Sequence, residues 1–381
     1  MSSGAIRAES LESRAGMQSE KHSVGILGAT GAVGQRFVQM LTRHPLFEVT
    51  WLAAGERSQR RRYRDAVPWR LKTELPPEIS EISVSAPEPE NAPRIIFASL
   101  ASDAARELEP RFAAAGCAVI TNSSAFRMAQ DVPLVIPEVN AEHLDLLEQQ
   151  SWRRESGGYI VANPNCCAIG LAIALKPLAA AFGIEAIFVS TMQAVSGAGY
   201  PGVAATDILG NVIPYIPNEE EKLEQETGKL LGTMQGARVV PLDAKVTAHC
   251  NRVPVEDGHT ECVSVKLRTK ASREDVLAAW REFRPLRGAG LPSAPEQPIE
   301  FLPEENRPQP RLDVERGGGM VTSVGRLRSC NLLDWKFTLL SHNTVRGAAG
   351  AAILNAELLN KLGKLGKLGN LSPVPAMVAT A

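Results

Sequence analysis

The chain has 381 residues, of which 44% are hydrophobic and 22% charged, and its formal net charge at pH 7 is -1. This length fits two domains, each large enough to bury its own core. The near-neutral charge provides no basic field for nucleic acid, and no apolar run reaches the roughly 18 residues of a membrane helix. Residues 1–22 lack the apolar stretch of a secretory signal and predict a disordered leader. We therefore expect a cytoplasmic globular protein that binds neither nucleic acid nor membrane.

The first part of the chain alternates strands and helices. Residues 23–27 predict a short buried strand, 32–43 a helix with Val33, Phe37 and Leu41 on one face, and 47–53 a second strand. Strand 94–100, helix 102–116 and strand 117–121 continue the pattern. This alternation predicts an α/β domain with a Rossmann-type doubly wound parallel sheet, which we place at 23–164.

The pattern changes after residue 164. Residues 185–196 and 259–269 alternate polar and apolar side chains, as half-exposed antiparallel strands do. We expect a second, α+β domain with a mixed or antiparallel sheet over 165–342. The alanine- and leucine-rich stretch 343–362 predicts one long helix that returns to the first domain, and 363–381 predicts a flexible tail.

Three glycines, Gly28, Gly31 and Gly34, stand directly after a strand and at the start of a helix. Glycine permits close backbone approach, and a helix N-terminus favours the negative charge of a pyrophosphate. The spacing differs from the usual dinucleotide motif, so a tight turn without a ligand is the alternative. The residues expected to contact a dinucleotide here are Gly28, Thr30, Gly31, Ala32, Val33 and Gly34.

The second strand ends in Ala53-Ala54-Gly55, whereas NAD-selective folds commonly place an acidic residue there for the ribose hydroxyls. Arg57 and Ser58 follow. A guanidinium group matches the geometry of a 2'-phosphate, so the sequence predicts NADP rather than NAD as cofactor. We interpret most of the run from Arg60 to Arg62 as a solvated basic patch.

Six cysteines show neither a CxxC pair nor a zinc spacing, so we predict no metal site and expect free thiols in a reducing compartment. Cys166 and Cys167 follow Asn165 at the start of an apolar helix. Unpaired N–H groups and the helix dipole there lower a thiol pKa and can stabilise an oxyanion. The alternative is that both cysteines are plain core residues.

A nucleophilic thiol needs a proton acceptor, and histidine serves this role near neutral pH. His259 follows an Asp257-Gly258 turn, which we expect at the mouth of a strand pair. Arg252 is expected at the start of the preceding strand. Such a turn-adjacent position can reach into a cleft.

Seven motifs along residues 22–362 resemble, in this order, those of the aspartate-semialdehyde dehydrogenase family in the form found in archaea and fungi: GATGAVG, SSAFRM, NPNC, QAVSGAGYPG, NVIPYIPNEEEK, RVPVEDGH and NTVRGAAG. The resemblance implies reduction of L-aspartyl-4-phosphate by NADPH to the semialdehyde, through a cysteine thioester. This reaction belongs to lysine, threonine and methionine biosynthesis. The resemblance also implies a homodimer or homotetramer.

The same resemblance implies roles for individual residues. The implied catalytic residues are the nucleophile Cys166, its acid–base partner His259, and Gln193, which positions the acyl intermediate. The implied substrate contacts are Arg127 and Lys222 to phosphate, Arg252 to the α-carboxylate, Glu219 to the ammonium, and Asn165 beside the nucleophile. Asn343 is implied at the nicotinamide end of the cofactor. Glu220 and Glu221 leave the position of the glutamate open by one residue, and Cys167 stands where relatives usually have Ser or Thr.

Other functions stay open at this point. A related acyl reductase, such as malonyl-CoA reductase or N-acetyl-glutamyl-phosphate reductase, would use the same cysteine and histidine. A catalytically silent NADP-binding regulator and a redox sensor based on Cys166 and Cys167 are further alternatives. The apolar, proline-containing segment from Gly199 to Glu221 is expected to lie against another subunit.

Overall fold

The computed structural model describes residues 21–365, so nearly all of the predicted leader and tail lie outside the described residues. Within this range, no helix is long and apolar enough to cross a lipid bilayer. The described residues form two six-stranded sheets and one two-stranded hairpin. His22, which the sequence assigned to the leader, begins the first strand, where its N–H donates to the Leu46 carbonyl.

The first sheet contains six parallel strands in the order β3-β2-β1-β4-β5-β6. These strands are β1 (His22–Leu27), β2 (Phe47–Ala53), β3 (Val84–Ser85), β4 (Ile95–Ala98), β5 (Ala118–Thr121) and β6 (Tyr159–Ala162). This is the strand order of a Rossmann-type sheet, and the winding reverses between β1 and β4. The prediction of a doubly wound parallel sheet is confirmed. Ligands bind such sheets at the carboxyl ends of the two strands that flank the reversal.

Helices cover both faces of the first sheet. The helices of this part of the chain are α1 (Ala32–Leu41), α2 (Tyr63–Ala66), α3 (Pro77–Ser80), α4 (Ser102–Ala114), α5 (Pro137–Asn140) and α6 (Ser151–Glu155). On one face the ring of Phe37 of α1 lies 5.0 Å from that of Phe97, and on the other the ring of Phe112 of α4 lies 5.9 Å from that of Trp51. Because both faces are covered, every residue of β4, β5 and β6 is buried.

The second sheet is mixed, in the order β10-β7-β11-β14-β13-β12. Its strands are β7 (Ile184–Gln193), β10 (Lys245–Arg252), β11 (His259–Leu267), β12 (Ile299–Leu302), β13 (Thr322–Ser329) and β14 (Trp335–Ser341), and a separate hairpin contains β8 (Thr233–Gln235) and β9 (Arg238–Val240). β7 pairs parallel with β10 and antiparallel with β11, so the predicted mixed sheet is confirmed. The helices of this part are α7 (Cys166–Phe182), α8 (Ala205–Ile208), α9 (Glu219–Leu230), α10 (Arg273–Glu282) and α11 (Pro310–Asp313).

Helix α7 lies between the two sheets. It is apolar around most of its circumference, as expected of a helix buried on all sides. Leu171 and Leu175 belong to one core cluster with Ile160 of the first sheet and Val263 of the second. Both sheets therefore fix the position of the first residue of α7, Cys166.

The predicted single helix at 343–362 consists of two segments, a π-helical turn over Val345–Ala349 and α12 (Gly350–Lys361). A Cβ on Gly347, inside the π turn, would lie 2.7 Å from Cys166 Cβ, so the wider turn occurs where the backbone passes the head of α7. Ile353 and Leu354 of α12 pack in the same core cluster as Val24 and Phe37. The C-terminal helix thus lies on the first sheet.

The prediction that Arg252 and His259 lie on two strands that pair with each other is wrong. Arg252 ends β10, His259 begins β11, and β7 lies between these two strands. The connection crosses the end of β7, where the Val253 N–H donates to the Gln193 carbonyl. Because β10 runs parallel to β7 and β11 antiparallel, Gln193, Arg252 and His259 all lie at the same edge of the sheet.

Candidate active site

A cavity of about 530 Å³ opens between the two sheets, beside the carboxyl ends of β1 and β4 and the N-terminus of α7. Residues of both domains form its walls. The predicted site residues that line it are Ala32, Val33, Arg127, Asn165, Cys166, Gln193, Glu219, Lys222, Arg252 and Asn343. Gly28, Thr30, Gly31, Gly34, Arg57 and Ser58 are not among its lining residues, and His259 lies behind Cys166.

The two adjacent thiols differ in exposure. Cys166 is partly exposed to the cavity, whereas Cys167 points into the core and is fully buried. The pKa of Cys166 lies well below its ordinary value because hydrogen bonding from the Cys167 thiol, followed by the charge and hydrogen bond of His259, outweighs burial. Burial raises the pKa of Cys167 well above its ordinary value. Of the two thiols, Cys166 is therefore the one that ionises first as the pH rises.

His259 is completely buried and contacts Cys166 directly, with Nε2 3.1 Å from Sγ. Its other ring nitrogen, Nδ1, accepts a hydrogen bond from the backbone N–H of Ala194 at 3.0 Å. A histidine within hydrogen-bond reach of a nucleophilic sulfur is the arrangement that nucleophilic catalysis requires.

Asn165 connects the helix cap to a buried polar network. Its Oδ1 accepts hydrogen bonds from two N–H groups in the first turn of α7, at 2.8 and 3.2 Å. Its Nδ2 donates to Glu219 at 2.8 Å, and its backbone N–H donates to Glu226 at 2.6 Å. Glu226 in turn pairs with Arg127 at 3.0 Å, and burial raises the pKa of its carboxyl group although Arg127 lowers it. Arg127 therefore lines the cavity while an internal carboxylate holds it in place.

The structure settles which of three adjacent glutamates lines the cavity. Glu219 is 8% exposed and forms part of the cavity wall, whereas Glu221 is exposed and Glu220 accepts a hydrogen bond from the Cys250 N–H. Asn165 and Gln193 donate to Glu219 Oε1, and Lys222 Nζ lies 4.0 Å from Oε2. One oxygen of Glu219 is thus held internally, and the other faces the cavity beside Lys222.

Arg252 is 6% exposed and donates through Nη1 to the Ala194 carbonyl at 2.8 Å. Within residues 21–365 this is its one side-chain hydrogen bond, which leaves the other guanidinium N–H groups for a carboxylate. A Cβ on Gly197 would lie 3.0 Å from both Arg252 Nη1 and His259 Cε1. Gly197 therefore lets the loop pass over both side chains.

Asn343 lines the cavity but is also bonded at both ends of its amide. Its Oδ1 accepts from the Gly258 N–H at 2.8 Å, and its Nδ2 donates to Ser196 Oγ at 2.8 Å. Asn343 thereby ties the turn before His259 to the 3₁₀ helix Val195–Ala198. Its contact with the nicotinamide end of a cofactor stays a prediction.

In the glycine loop, the backbone packing requires glycine at positions 28 and 34 but not at position 31. A Cβ on Gly28, where φ is +87°, would lie 2.6 Å from the Ser99 carbonyl oxygen, and a Cβ on Gly34 would lie 2.3 Å from that of Gly28. A Cβ on Gly31 would meet one atom, at 3.4 Å. Gly31 is the N-cap of α1 and has no side-chain cap, so the helix N-terminus is open to an anion. This arrangement fits a dinucleotide pyrophosphate.

The basic segment after β2 contains both free and paired arginines. Arg62 pairs with Glu81 at 2.7 Å, Arg64 also pairs with Glu81, and Arg61 donates to the Asp65 carbonyl. Arg57 is exposed in a 3₁₀ helix over Glu56–Ser58 and has no side-chain hydrogen bond or ion pair to any residue in 21–365. It is thus available to a 2'-phosphate, while Arg61 and Arg62 belong to the surface.

The sulfur atoms of Cys166 and Cys167 and a ring nitrogen of His259 lie within 4.8 Å of one another, a donor set that zinc can use. A metal ion on Nε2 would require the ring proton on Nδ1, at which the Ala194 N–H already points. This cluster fits a nucleophile with its hydrogen-bond partner better than a metal site.

Several cavity residues received no role from the sequence. All of them except Ser102 lie within or beside the recognised motifs, which was the signal that could have found them. These residues are Ser102, Asn122, Ser123, Ser124, Ser196, Gly197 and Gly347. Ser102 and Ser124 share a hydrogen bond of 2.8 Å between their hydroxyl groups.

A Rossmann-type sheet, an open helix N-terminus at its first turn, and a cysteine–histidine pair beside cationic side chains together define a nucleotide-linked dehydrogenase that acts through a thiol. A family profile described as "Semialdehyde dehydrogenase, NAD binding domain" matches residues 23–147, and one described as "Semialdehyde dehydrogenase, dimerisation domain" matches 175–346.

Individual relatives agree with these profiles. Aspartate-semialdehyde dehydrogenase from Archaeoglobus fulgidus is 50% identical over 342 residues, which cover 90% of this chain and 98% of that protein. The Candida albicans enzyme is 46% identical over 353 residues, covering 88% and 97%. The crystal structure of aspartate semialdehyde dehydrogenase with NADP from Candida albicans has a TM-score of 0.83 and covers 89% of this chain and 99% of that one, at 44% identity. The chain belongs to the aspartate-semialdehyde dehydrogenase family, as its motifs predicted.

Proposed function

We propose that this chain reduces L-aspartyl-4-phosphate with NADPH to L-aspartate 4-semialdehyde, through a thioester on Cys166. The observation that carries the proposal is the 3.1 Å contact between Cys166 Sγ and His259 Nε2 at a cavity that also contains Arg127, Arg252 and Glu219. The products supply lysine, threonine and methionine biosynthesis. NADP is the cofactor, and when bound its reduced form supplies the hydride.

Each charged group on the cavity wall matches one group of the substrate. The free N–H groups of Arg252 pair with the α-carboxylate, and Oε2 of Glu219, beside Lys222, faces the ammonium. Lys222 and Arg127 lie where the phosphate of the acyl group can be held. An ammonium site selects an amino acid over a malonyl or N-acetylated substrate, which disfavours the related acyl reductases.

In the first step, the Cys166 thiolate attacks the acyl carbon and the carbon–oxygen bond to phosphate breaks. At the head of α7, Asn165 holds the N–H groups of Cys167 and Ala168, and the N–H of Cys166 lies beside the developing oxyanion. In the second step, the thioester carbon accepts hydride, and the carbon–sulfur bond then breaks to release the aldehyde. Gln193, held by Glu219 at 3.2 Å, lies beside the acyl group.

The reverse reaction tests this function. Purified protein is mixed with aspartate semialdehyde, phosphate and NADP, and the absorbance of reduced cofactor is followed. We expect phosphate-dependent formation of NADPH, a loss of at least about 1,000-fold in Cys166→Ser, and near-normal turnover in the matched variant Cys167→Ser. No signal in the wild-type protein with either NADP or NAD would rule out the proposal.

Cofactor choice rests on Arg57 and Ser58. Because the Arg57 guanidinium is exposed and unpaired within the described residues, it can bind the 2'-phosphate. We expect Arg57→Ala to raise KM for NADP by about 10- to 100-fold and leave KM for NAD nearly unchanged. Arg62→Ala, which removes an arginine already paired with Glu81, serves as the matched control.

The chain assembles as a homodimer or homotetramer through the segment 199–217. Four large apolar residues on this segment are exposed by 53 to 70%: Tyr200, Leu209, Val212 and Tyr215. Gly199, Ile216 and Pro217 of the same segment line the cavity, so assembly also shapes the site. We expect Leu209→Glu to lower the molar mass in light scattering, while Leu332→Glu, at a leucine that is 92% exposed elsewhere, leaves it unchanged.

The six free cysteines fit the reducing cytoplasm as the compartment of this protein.

A further inference from the structure

Helix α9 places four charged side chains on one of its faces. Glu219, Lys222, Glu226 and Lys229 are spaced by three, four and three residues, and therefore fall within about 80° of the helix circumference. Glu219 and Lys222 line the cavity, whereas Glu226 and Lys229 are buried and do not line it. Buried charges are rare unless they are paired. The partners of Glu226 and Lys229 thus indicate what these two residues do.

Glu226 connects two walls of the cavity. Its Oε1 accepts a hydrogen bond from Arg127 Nη1 at 3.0 Å, and its Oε2 accepts from the backbone N–H of Asn165 at 2.6 Å. Arg127 belongs to the loop after β5, and Asn165 is the cap of α7. One buried carboxylate therefore joins the arginine assigned to phosphate to the head of the helix that carries the nucleophile.

Lys229 holds the backbone of the loop that carries Arg127. Its Nζ donates to the carbonyl groups of Arg127, Ala129 and Val132 at 2.7, 2.8 and 3.1 Å. These three bonds match the three N–H groups of an ammonium. Burial lowers the pKa of Lys229 to about 8, although nearby carboxylates raise it, so the ammonium form predominates at pH 7.

Arg127 needs this support because it lies in irregular chain. Residues 122–133 contain turns but neither a helix nor a strand, and loops are more mobile than the elements they connect. The guanidinium is bonded to Glu226 through Nη1 and to the Asn122 carbonyl through Nη2, the latter at 2.7 Å. Each of these two nitrogens keeps one further N–H for an anion. Side chain and backbone of Arg127 are thus both fixed before phosphate arrives.

We propose that Glu226 and Lys229 are positioning residues for phosphate, which act on the reaction by holding Arg127 in place. The inference rests on the proposed function, in which Arg127 binds the phosphate of the acyl group. A guanidinium that is already ordered loses less conformational entropy when it binds its ligand. The two buried residues therefore increase the affinity for phosphate without contacting it.

Charge and position make opposite predictions for Glu226. If only charge mattered, Glu226→Gln would remove a negative charge beside Arg127 and lower KM for phosphate. If Glu226 positions Arg127, the same change raises KM, because Gln keeps one acceptor oxygen where two are used. In the reverse reaction at pH 7 we expect KM for phosphate to rise at least about tenfold. An unchanged or lowered KM would overturn the proposal.

Lys229→Met tests the contact to the loop backbone. We expect KM for phosphate to rise at least about tenfold and KM for aspartate semialdehyde, which Arg252 and Glu219 bind, to change less than about twofold. A general loss of structure would instead lower the active fraction and leave both KM values alike. Lys266→Met, which removes a lysine paired with Glu185 on the surface, is the matched control. Normal KM for phosphate in folded Lys229→Met would contradict the proposal.

A double-mutant cycle shows whether Lys229 acts through Arg127. Once Arg127→Ala has removed the guanidinium, Lys229→Met should lower kcat/KM for phosphate by less than about twofold further. The full loss in both backgrounds would show an independent role and overturn the proposal. If Lys229→Met does not fold, Glu226→Gln takes its place in the cycle.

The same assays separate the two proposals. Wild-type protein without phosphate-dependent turnover would refute the proposed function. Wild-type turnover with unchanged KM for phosphate in Glu226→Gln and Lys229→Met would refute only the positioning role.

Discussion

At the residue scale, burial distinguishes two adjacent thiols that the sequence could not separate by itself. Cys166 faces the cavity beside His259, and Cys167 is enclosed by the core. A disulfide between them is strained, because neighbouring Cα atoms lie about 3.8 Å apart, closer than the usual disulfide range. The redox-sensor alternative is accordingly disfavoured on geometric grounds.

The lowered pKa of Cys166 gives a first prediction. A group whose folded pKa is depressed keeps its charge as the pH falls, so the thiolate should persist well below pH 9. Between pH 9 and pH 7 the alkylation rate of a free model thiol falls roughly 25-fold. We expect the rate for Cys166, followed by mass spectrometry with iodoacetamide, to fall only a few-fold. A drop as large as that of the model thiol would contradict the assignment.

Gly197 gives a second prediction. A methyl group there would press on both Arg252 and His259, each 3.0 Å away. Because small displacements of catalytic groups are costly, we expect Gly197→Ala to lower kcat/KM by about 10- to 100-fold with little change in melting temperature. Gly228→Ala is the control, since its nearest neighbour would be 3.7 Å away. Normal kcat/KM in Gly197→Ala would show that the loop moves to accommodate the methyl group without displacing Arg252 or His259.

At the scale of elements, the head of α7 combines a helix cap with the substrate pocket. Asn165 caps the helix and also holds Glu219, so one side chain stabilises the fold and orders the site. The largely apolar run over 171–182 predicted the helix itself. Periodicity could not predict that β7 lies between β10 and β11, because strand order depends on pairing across long sequence distances.

A comparison of two helix caps separates the contribution of Asn165 to stability from its contribution to the order of the site. Ser272 caps α10 through a capping box with Asp275, far along the chain from the cavity residues. We expect Asn165→Ala and Ser272→Ala each to lower the free energy of unfolding by about 1 kcal/mol. Only Asn165→Ala should also lower kcat, because it releases Glu219. Denaturant unfolding and steady-state kinetics of both variants check this, and an equal kinetic effect would argue against the double role.

At the scale of the whole molecule, polar contacts join the cofactor helix to the catalytic turn. Arg36 of α1 pairs with Asp257 at 3.4 Å and donates to Thr344 Oγ1 at 3.0 Å. Asp257 is two residues before His259, so the helix that opens at the dinucleotide loop also supports the turn that presents the histidine. Helix α12 packs on the same sheet and places Asn343 and Gly347 at the cavity.

The stability of the whole chain should depend on pH through Glu109. Burial raises its pKa from 4.5 to about 7, while Thr121, which donates to it at 2.5 Å, lowers the pKa slightly. Between these values the native state keeps a proton that the unfolded chain releases, so stability falls as the pH rises through this window. The loss amounts to about 3 kcal/mol by pH 8.

We expect Glu109→Gln to remove much of this loss. Between pH 5 and pH 8 the melting temperature of the wild-type protein should fall further than that of the variant, because Gln stays neutral and still accepts a hydrogen bond from Thr121. Glu107→Gln, on the exposed side of the same helix, is the control and should behave like the wild type. Parallel pH profiles for wild type and Glu109→Gln would contradict the assigned ionisation.

The sequence by itself determined the Rossmann-type and mixed sheets, the family, and the identities of most cavity residues, because these depend on local periodicity and on motifs that retain their order. Only the tertiary structure decided which thiol faces the cavity, and that Glu219 rather than Glu220 or Glu221 does so. These outcomes depend on burial and on hydrogen bonds between residues 26 to 93 positions apart, which no local pattern encodes.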